Sequence, residues 1–172
     1  MGTEQKFLER DLEDIIMDNL ESVANRGLTC KFYKNTERQF TVSNLNNRID
    51  IFSYEIIDDI LHCIIFELKR NELNWGAIEQ AHTYLYKIIR QFEGVIKGIR
   101  YEIILIGKDD GIGLYNDCIW GLRNVRLFEY DYKIDGIYFT ETFNTTYDAI
   151  DEYLGRIYTC RLEERNTIKE QV

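Results

Sequence analysis

Between Arg48 and Leu68 the chain carries two extended runs, Arg48–Glu55 and Ile60–Leu68, broken at Asp58-Asp59. Two β-prone runs around so short a polar break read as a β-hairpin. A hairpin limits which residues can face one another, and the side-chain period of two decides which share a face. Upstream, Leu8, Leu12, Ile15, Ile16, Leu20 and Val23 recur at helical spacing and predict an amphipathic helix over 4–24, stopped by Asn25-Arg26-Gly27. Downstream, Ile78, Ala81, Leu85, Ile88, Ile89 and Phe92 form the apolar stripe of a second helix over 73–93.

The rest of the chain fills in around this frame. Residues 28–34 and 38–43 read as short strands, and Asn44 to Asn47 as a turn. Tyr101–Ile106 is a continuous apolar run after a helix, which suits a buried strand with a parallel neighbour. Lys108–Gly113 reads as a loop and 114–124 as a short helix. Arg126–Tyr132 and Gly136–Thr142 read as a strand pair, and 145–165 as a terminal helix with Thr145 or Thr146 near its N-cap. This order predicts one α/β domain over 1–172, a central mixed β-sheet flanked by helices. Its core spans about 4–107, with the strand pair and helix of 126–165 packed on it.

The chain has 172 residues, 45% of them hydrophobic and 30% charged, with twelve Tyr and nine Phe. That is enough to bury a core and argues against wholesale disorder. The net charge is −9. A protein that tracks nucleic acid unaided is usually basic, so tight autonomous DNA binding is not expected. A local basic rim or a partner subunit can still supply phosphate contacts. Lys69, Arg70, Lys87, Arg90, Lys97 and Arg100 cluster in sequence around the second helix and are candidates for that rim. Cys30, Cys63, Cys118 and Cys160 lie far apart with no C-x-x-C, and read as buried reduced thiols. With no signal-peptide h-region and no bilayer-length apolar run, a cytoplasmic protein without membrane association is expected.

Chemistry is written most clearly at the ends of the hairpin strands. Glu67 and Lys69 lie two apart on an extended run, hence on one face and roughly 7 Å apart. Hairpin pairing can bring Asp50 beside Glu67. Two adjacent carboxylates repel, a cost that a hard divalent ion removes. Mg²⁺ suits one or two carboxylates plus a phosphate, and the Leu68 backbone carbonyl could add a ligand. Lys69 could orient an attacking water or stabilise charge on phosphorus. Gln80 and Tyr84, spaced i,i+4, share a helix face that can reach over the sheet edge. The competing reading of Glu67 and Lys69 is an exposed ion pair worth at most about 1 kcal/mol. For Glu13 it is a solvent-facing helix position, and for Tyr84 a core aromatic with its hydroxyl at the rim. Trp75 reads as a core cap, although it could stack a base. His62 and His82 read as structural or surface residues, and Gly111-Ile-Gly113 lacks a phosphate-binding pattern.

Glu-Arg-Asp-Leu-Glu-Asp-Ile-Ile at 9–16, Arg-Ile-Asp-Ile at 48–51, Ile-Phe-Glu-Leu-Lys-Arg at 65–70 and Glu-Gln-Ala-His-Thr-Tyr at 79–84 together resemble the PD-(D/E)XK nuclease superfamily. The resemblance covers about residues 8–90 and is nearest to the RecB-like catalytic domain of NucS-type endonucleases. It implies a restriction-endonuclease-like core that hydrolyses DNA phosphodiester bonds, with RNA left open as a substrate. It also implies Mg²⁺ or Mn²⁺ held by Asp50 and Glu67, with Glu13 in support, Lys69 as catalytic lysine and Gln80 as the helical glutamine. The chain shows no counterpart of the family's separate DNA-binding and dimerisation domain. That absence and the acidic charge motivate an alternative, a catalytically silent module that binds a protein partner within a defence or mobile-element complex. On either reading a protein partner or a homodimer could complete substrate binding.

Overall fold

The computed structural model describes residues 9–42, 47–110 and 123–146. Its elements run α1 (Glu9–Asp18), α2 (Leu20–Asn25), β1 (Asn35–Thr41), β2 (Arg48–Ile57), β3 (Ile60–Leu68), β4 (Glu72–Leu73), α3 (Trp75–Gln91), β5 (Gly98–Gly107), β6 (Asp109–Asp110), β7 (Val125–Lys133) and β8 (Gly136–Asn144). Six strands form one sheet in the order β1-β2-β3-β5-β7-β8, while β4 and β6 pair separately. β1, β2 and β3 are antiparallel neighbours, β3, β5 and β7 run parallel, and β8 returns antiparallel. This is a mixed α/β architecture with a central mixed sheet flanked by helices.

The predicted hairpin is the β2–β3 pair, closed by Asp58 and Asp59 with φ of 52° and 63°. Left-handed dihedrals at both turn residues match the twist of the strands they join, and Asp tolerates them better than most residues. β3 and β5 are joined by α3, the long crossover a parallel pair requires. Asn74 caps α3, its side chain accepting from the Ala77 N–H.

Both sheet faces are covered, which is why β3 and β5 are apolar on both sides. α3 packs Ala77, Ile78, Ala81, Leu85 and Ile88 over Phe52, Cys63, Ile65, Ile103 and Leu105. On the other face α1 and α2 bring Leu12, Ile16 and Val23 over Ile51, Ile64, Phe66, Ile104 and Phe128. Trp75 packs against the α3-side core, as expected. Ile89 is exposed; Tyr84 is buried in its place on the stripe.

Several expectations need correction. The first helix is two helices, because Asn19 leaves helical dihedrals at φ −145° and interrupts it. Residues 28–34 form no strand. They lie against the α1/α2 side of the sheet, where Phe32 stacks on Phe66 and the Tyr33 N–H donates to Ser53 Oγ at 2.6 Å. The sheet edge belongs to β1, which begins at Asn35 rather than at residue 38. The C-terminal strand pair joins the core through β7, which pairs β5 and extends the sheet. Most of the expected turn at 44–47, residues 111–113 of the expected loop, nearly all of the short helix at 114–124, and the terminal helix beyond Thr146 lie outside the described residues, as do Cys118 and Cys160. No helix among the described residues is long and apolar enough to cross a membrane. Cys63 is buried and Cys30 half-buried, and burial pushes both thiols up to about 12.

Candidate active site

Along β3, Cys63 and Ile65 face α3, so alternation puts Glu67 on that face too, under the first turns of the helix. Glu67 is 2% exposed. The Lys69 N–H donates to the Ile106 carbonyl at 2.8 Å, which keeps the extended course for one more residue and holds Lys69 on the Glu67 side. Lys69 Nζ then donates to Glu67 Oε1 at 2.8 Å and to Gln80 Oε1 at 3.4 Å. Gln80 Nε2 donates in turn to the Tyr84 hydroxyl at 2.6 Å. A single chain of contacts thus runs from the strand end to one face of α3, through four residues singled out from sequence. Tyr84 is a core aromatic that also fixes the amide of Gln80.

Asp50 arrives by a break in the hairpin. Pairing of β2 with β3 runs from Ile57↔Ile60 to Ile51↔Phe66 and stops there. Ile49 and Phe52 pack on the α3 side and Ile51 on the other, so the alternation of β2 slips once at Asp50. Opposite this point in β1, Gln39 has φ +52°. The freed carboxylate takes the place of a ladder acceptor: Asp50 Oδ2 accepts the Leu68 N–H at 2.7 Å. Asp50 therefore sits against the backbone of the Glu67–Lys69 segment, and the Leu68 side chain is buried in the core.

Glu13, a solvent-facing position by default, is 4% exposed on α1. Its Oε2 accepts from Gln39 Nε2 at 2.8 Å, and the same amide nitrogen lies 3.5 Å from Asp50 Oδ1. Gln39 thereby joins Glu13 to Asp50. Glu9 Oε1 accepts the Arg70 N–H at 3.2 Å and ties the start of α1 to the residue after Lys69.

The electrostatics follow from burial. Desolvation, then the charge of Asp50, pushes Glu67 up to about 7 against the opposing pull of Lys69. Desolvation likewise pushes Asp50 up to about 6, with the Leu68 N–H and Lys69 opposing and Glu13 and Glu9 adding to it. Burial alone would pull Lys69 down. Its hydrogen bond to Glu67 and the nearby carboxylates outweigh this and hold it above the ordinary lysine value, fully charged.

Glu67 Oε2 is buried with no hydrogen-bond partner. An orphaned buried carboxylate oxygen costs roughly 1–3 kcal/mol or more and calls for a cation or a donor. Among the described residues no three His, Cys, Asp or Glu side chains close into a cage. Glu67 Oε2 lacks a partner and Asp50 lines an open cleft; two carboxylates are a donor set that suits Mg²⁺ or Mn²⁺, which keep waters and take a phosphate oxygen.

A cleft of ≈ 670 Å³ opens beside Asp50 and Glu13, between α1 and the β1–β2 edge, with Arg10, Arg38 and Arg48 in its walls. Of the basic residues expected to form a rim around α3, Lys69 and Arg70 lie at the site, whereas Lys97, Arg100 and Arg90 lie elsewhere. Lys97 pairs with Asp59 at 2.6 Å and Arg100 registers with His62, both toward the far end of β3. Arg90 lies over Tyr86, away from the site. Sequence reasoning missed Gln39, Arg10 and Arg38. Gln39 and Arg38 carry no motif, Arg10 stands in the 9–16 run with no role assigned to it, and the left-handed dihedral at Gln39 is invisible before folding. His82 bonds the Ile78 carbonyl at 2.9 Å through Nδ1, and His62 lies near the Tyr33 ring; neither faces the site. No family model, no curated protein and no solved structure matches this chain.

Proposed function

We propose that this protein is a metal-dependent nuclease of the PD-(D/E)XK type, built on a restriction-endonuclease-like core and hydrolysing DNA phosphodiester bonds. One observation carries the reading: the unpartnered, buried Glu67 Oε2 beside Asp50, with the ammonium of Lys69 2.8 Å from the other Glu67 oxygen. In this reading Asp50 and Glu67 hold Mg²⁺ or Mn²⁺, with the Leu68 carbonyl and Glu13 in support. Such an ion supplies Lewis-acid polarisation of the phosphate and a bound water of lowered pKa.

The chain's own residues do the rest. Lys69 stays protonated, so its part is to orient the attacking water and to stabilise negative charge on the phosphorus. Gln80, held by the Tyr84 hydroxyl, keeps the ammonium from turning away, and a buried tyrosine behind it leaves little slack. Gln39 keeps Glu13 and Asp50 in register.

The test is cleavage of single-stranded, duplex and branched DNA with Mg²⁺ or Mn²⁺, alongside calorimetry of Mn²⁺ binding. Lys69→Ala is expected to slow cleavage by about 10²-fold or more with Mn²⁺ binding retained. A Lys69→Ala protein that cuts as fast as wild type sinks the assignment. No Mn²⁺ binding at millimolar metal would favour the non-catalytic, protein-binding reading instead.

A further inference from the structure

Three arginines from three different elements meet in the cleft beside Asp50: Arg10 from α1, Arg38 from β1 and Arg48 from β2. Charges scattered along one exposed helix need no explanation, but convergence from separate elements onto one concavity does. The carboxylates of the same cleft are already engaged. Glu9 accepts from the Arg70 N–H, Glu13 from Gln39, Asp14 from Arg38, and Asp50 from the Leu68 N–H. Arg10 and Arg48 are exposed and donate to none of the described residues, so two guanidinium groups present free donors to whatever enters. Guanidinium forks match phosphate oxygens in pairs.

We propose that this cleft is a phosphate-backbone subsite that holds one strand of nucleic acid beside Asp50, which lines it. The inference rests on the nuclease reading and adds the substrate class to it. The volume lies in the range of single-ligand clefts, about 300–1,000 Å³, room for a short stretch of one strand. Contacts to phosphate read no bases, so binding is independent of sequence and falls with salt. Glu9, Glu13, Asp14 and Asp50 line the same cleft as the three arginines, so strand binding rests on the two free guanidinium forks and on a divalent ion that neutralises Asp50. Arg38, paired with Asp14, exchanges a carboxylate for a phosphate on binding.

The experiment is fluorescence anisotropy of the full chain with labelled 12-nucleotide DNA and RNA strands and a 12-base-pair DNA duplex, in Ca²⁺, from 50 to 200 mM salt. A single strand, DNA or RNA, is expected to bind at least about tenfold more tightly than the duplex, the two arms showing which sugar is accepted. Arg10→Ala with Arg48→Ala should weaken strand binding about tenfold and flatten the log K against log salt slope by about 1.4, or 0.7 for each phosphate no longer neutralised. Arg48→Lys should keep the slope. Unchanged affinity and slope in the double variant, a duplex bound as well as a strand, or no strand binding by the wild type would each overturn the proposal. Mn²⁺ calorimetry is read in parallel on the same proteins. A subsite that fails while Mn²⁺ binding and cleavage survive condemns this inference alone, whereas loss of Mn²⁺ binding in the wild type condemns the nuclease reading beneath it.

Discussion

Glu67 keeps a carboxylate where the surroundings disfavour charge, and that makes pH a direct probe of the site. In the metal-free folded protein Glu67 and Asp50 titrate near 7 and 6, whereas ordinary carboxyls do so near 4.5 and 3.8. Between about pH 4 and 7 the folded state therefore binds more protons than the unfolded chain, and stability falls as pH rises through that window. Urea midpoints of the metal-free protein should decline from pH 5 to pH 8, and millimolar Mn²⁺ should restore what is lost. Glu67→Gln should flatten the profile and stabilise the metal-free protein by about 1–2 kcal/mol at pH 8, while abolishing Mn²⁺ binding. A profile that rises with pH would show that the carboxylates are stabilised by folding, contrary to their burial. Cleavage should rise over the same interval, since the ligands must lose their protons to bind metal. At this scale the sequence was most legible for Glu67, Lys69, Gln80 and Tyr84, whose neighbours are set by strand and helix periods. It was least legible for Glu13 and Gln39, whose burial and dihedral depend on what packs against them.

Among the elements, the end of α2 shows how closely the outer layer is fitted to the sheet. Gly27 has φ +104°, and a Cβ there would stand 2.0 Å from the Phe139 carbonyl oxygen, while the Phe139 N–H donates to the Arg26 carbonyl at 2.8 Å. Both the dihedral and the close approach require glycine. Gly27→Ala should cost about 2–4 kcal/mol, read as a lowered urea midpoint. A loss under about 0.5 kcal/mol would mean that α2 can detach from β8 without consequence. The helix stop at Asn25-Arg26-Gly27 was readable because a stop is a local property. The break at Asn19 and the irregular course of 28–34 were not, since Thr, Cys, Phe and Tyr favour strands. Phe32 instead finds its partner on the face of the sheet, at Phe66.

Across the whole molecule, Arg126 joins parts of the chain far apart in sequence. Only 10% of its side chain is exposed; Nε donates to Glu141 at 2.7 Å, Nη1 to Glu102 at 3.1 Å and Nη2 to Thr29 at 3.2 Å. It thus binds β8, β5 and the segment after α2 to β7. Because both carboxylates are partly exposed, Arg126→Ala should cost about 1–3 kcal/mol, less than for a fully buried pair. Urea unfolding at low and high salt would check this, and an unchanged midpoint would refute it. By itself the sequence determined the hairpin, the α3 stripe and the order of Asp50, Glu67, Lys69 and Gln80, because these follow from periods of two and 3.6 acting over a few residues. Only the tertiary structure decided that β2 parts from β3 at Asp50, that Glu13 is buried, and that the arginines lining the cleft beside the site are Arg10, Arg38 and Arg48 rather than Arg90 and Arg100. The physical reason is that strand direction and helix packing, not sequence separation, decide which end of the sheet a residue reaches. Lys97 and Arg100 follow α3, but β5 starts where β3 starts, at the end remote from the site. Residues 10, 38 and 48 are brought together only when α1 closes over the edge of the sheet.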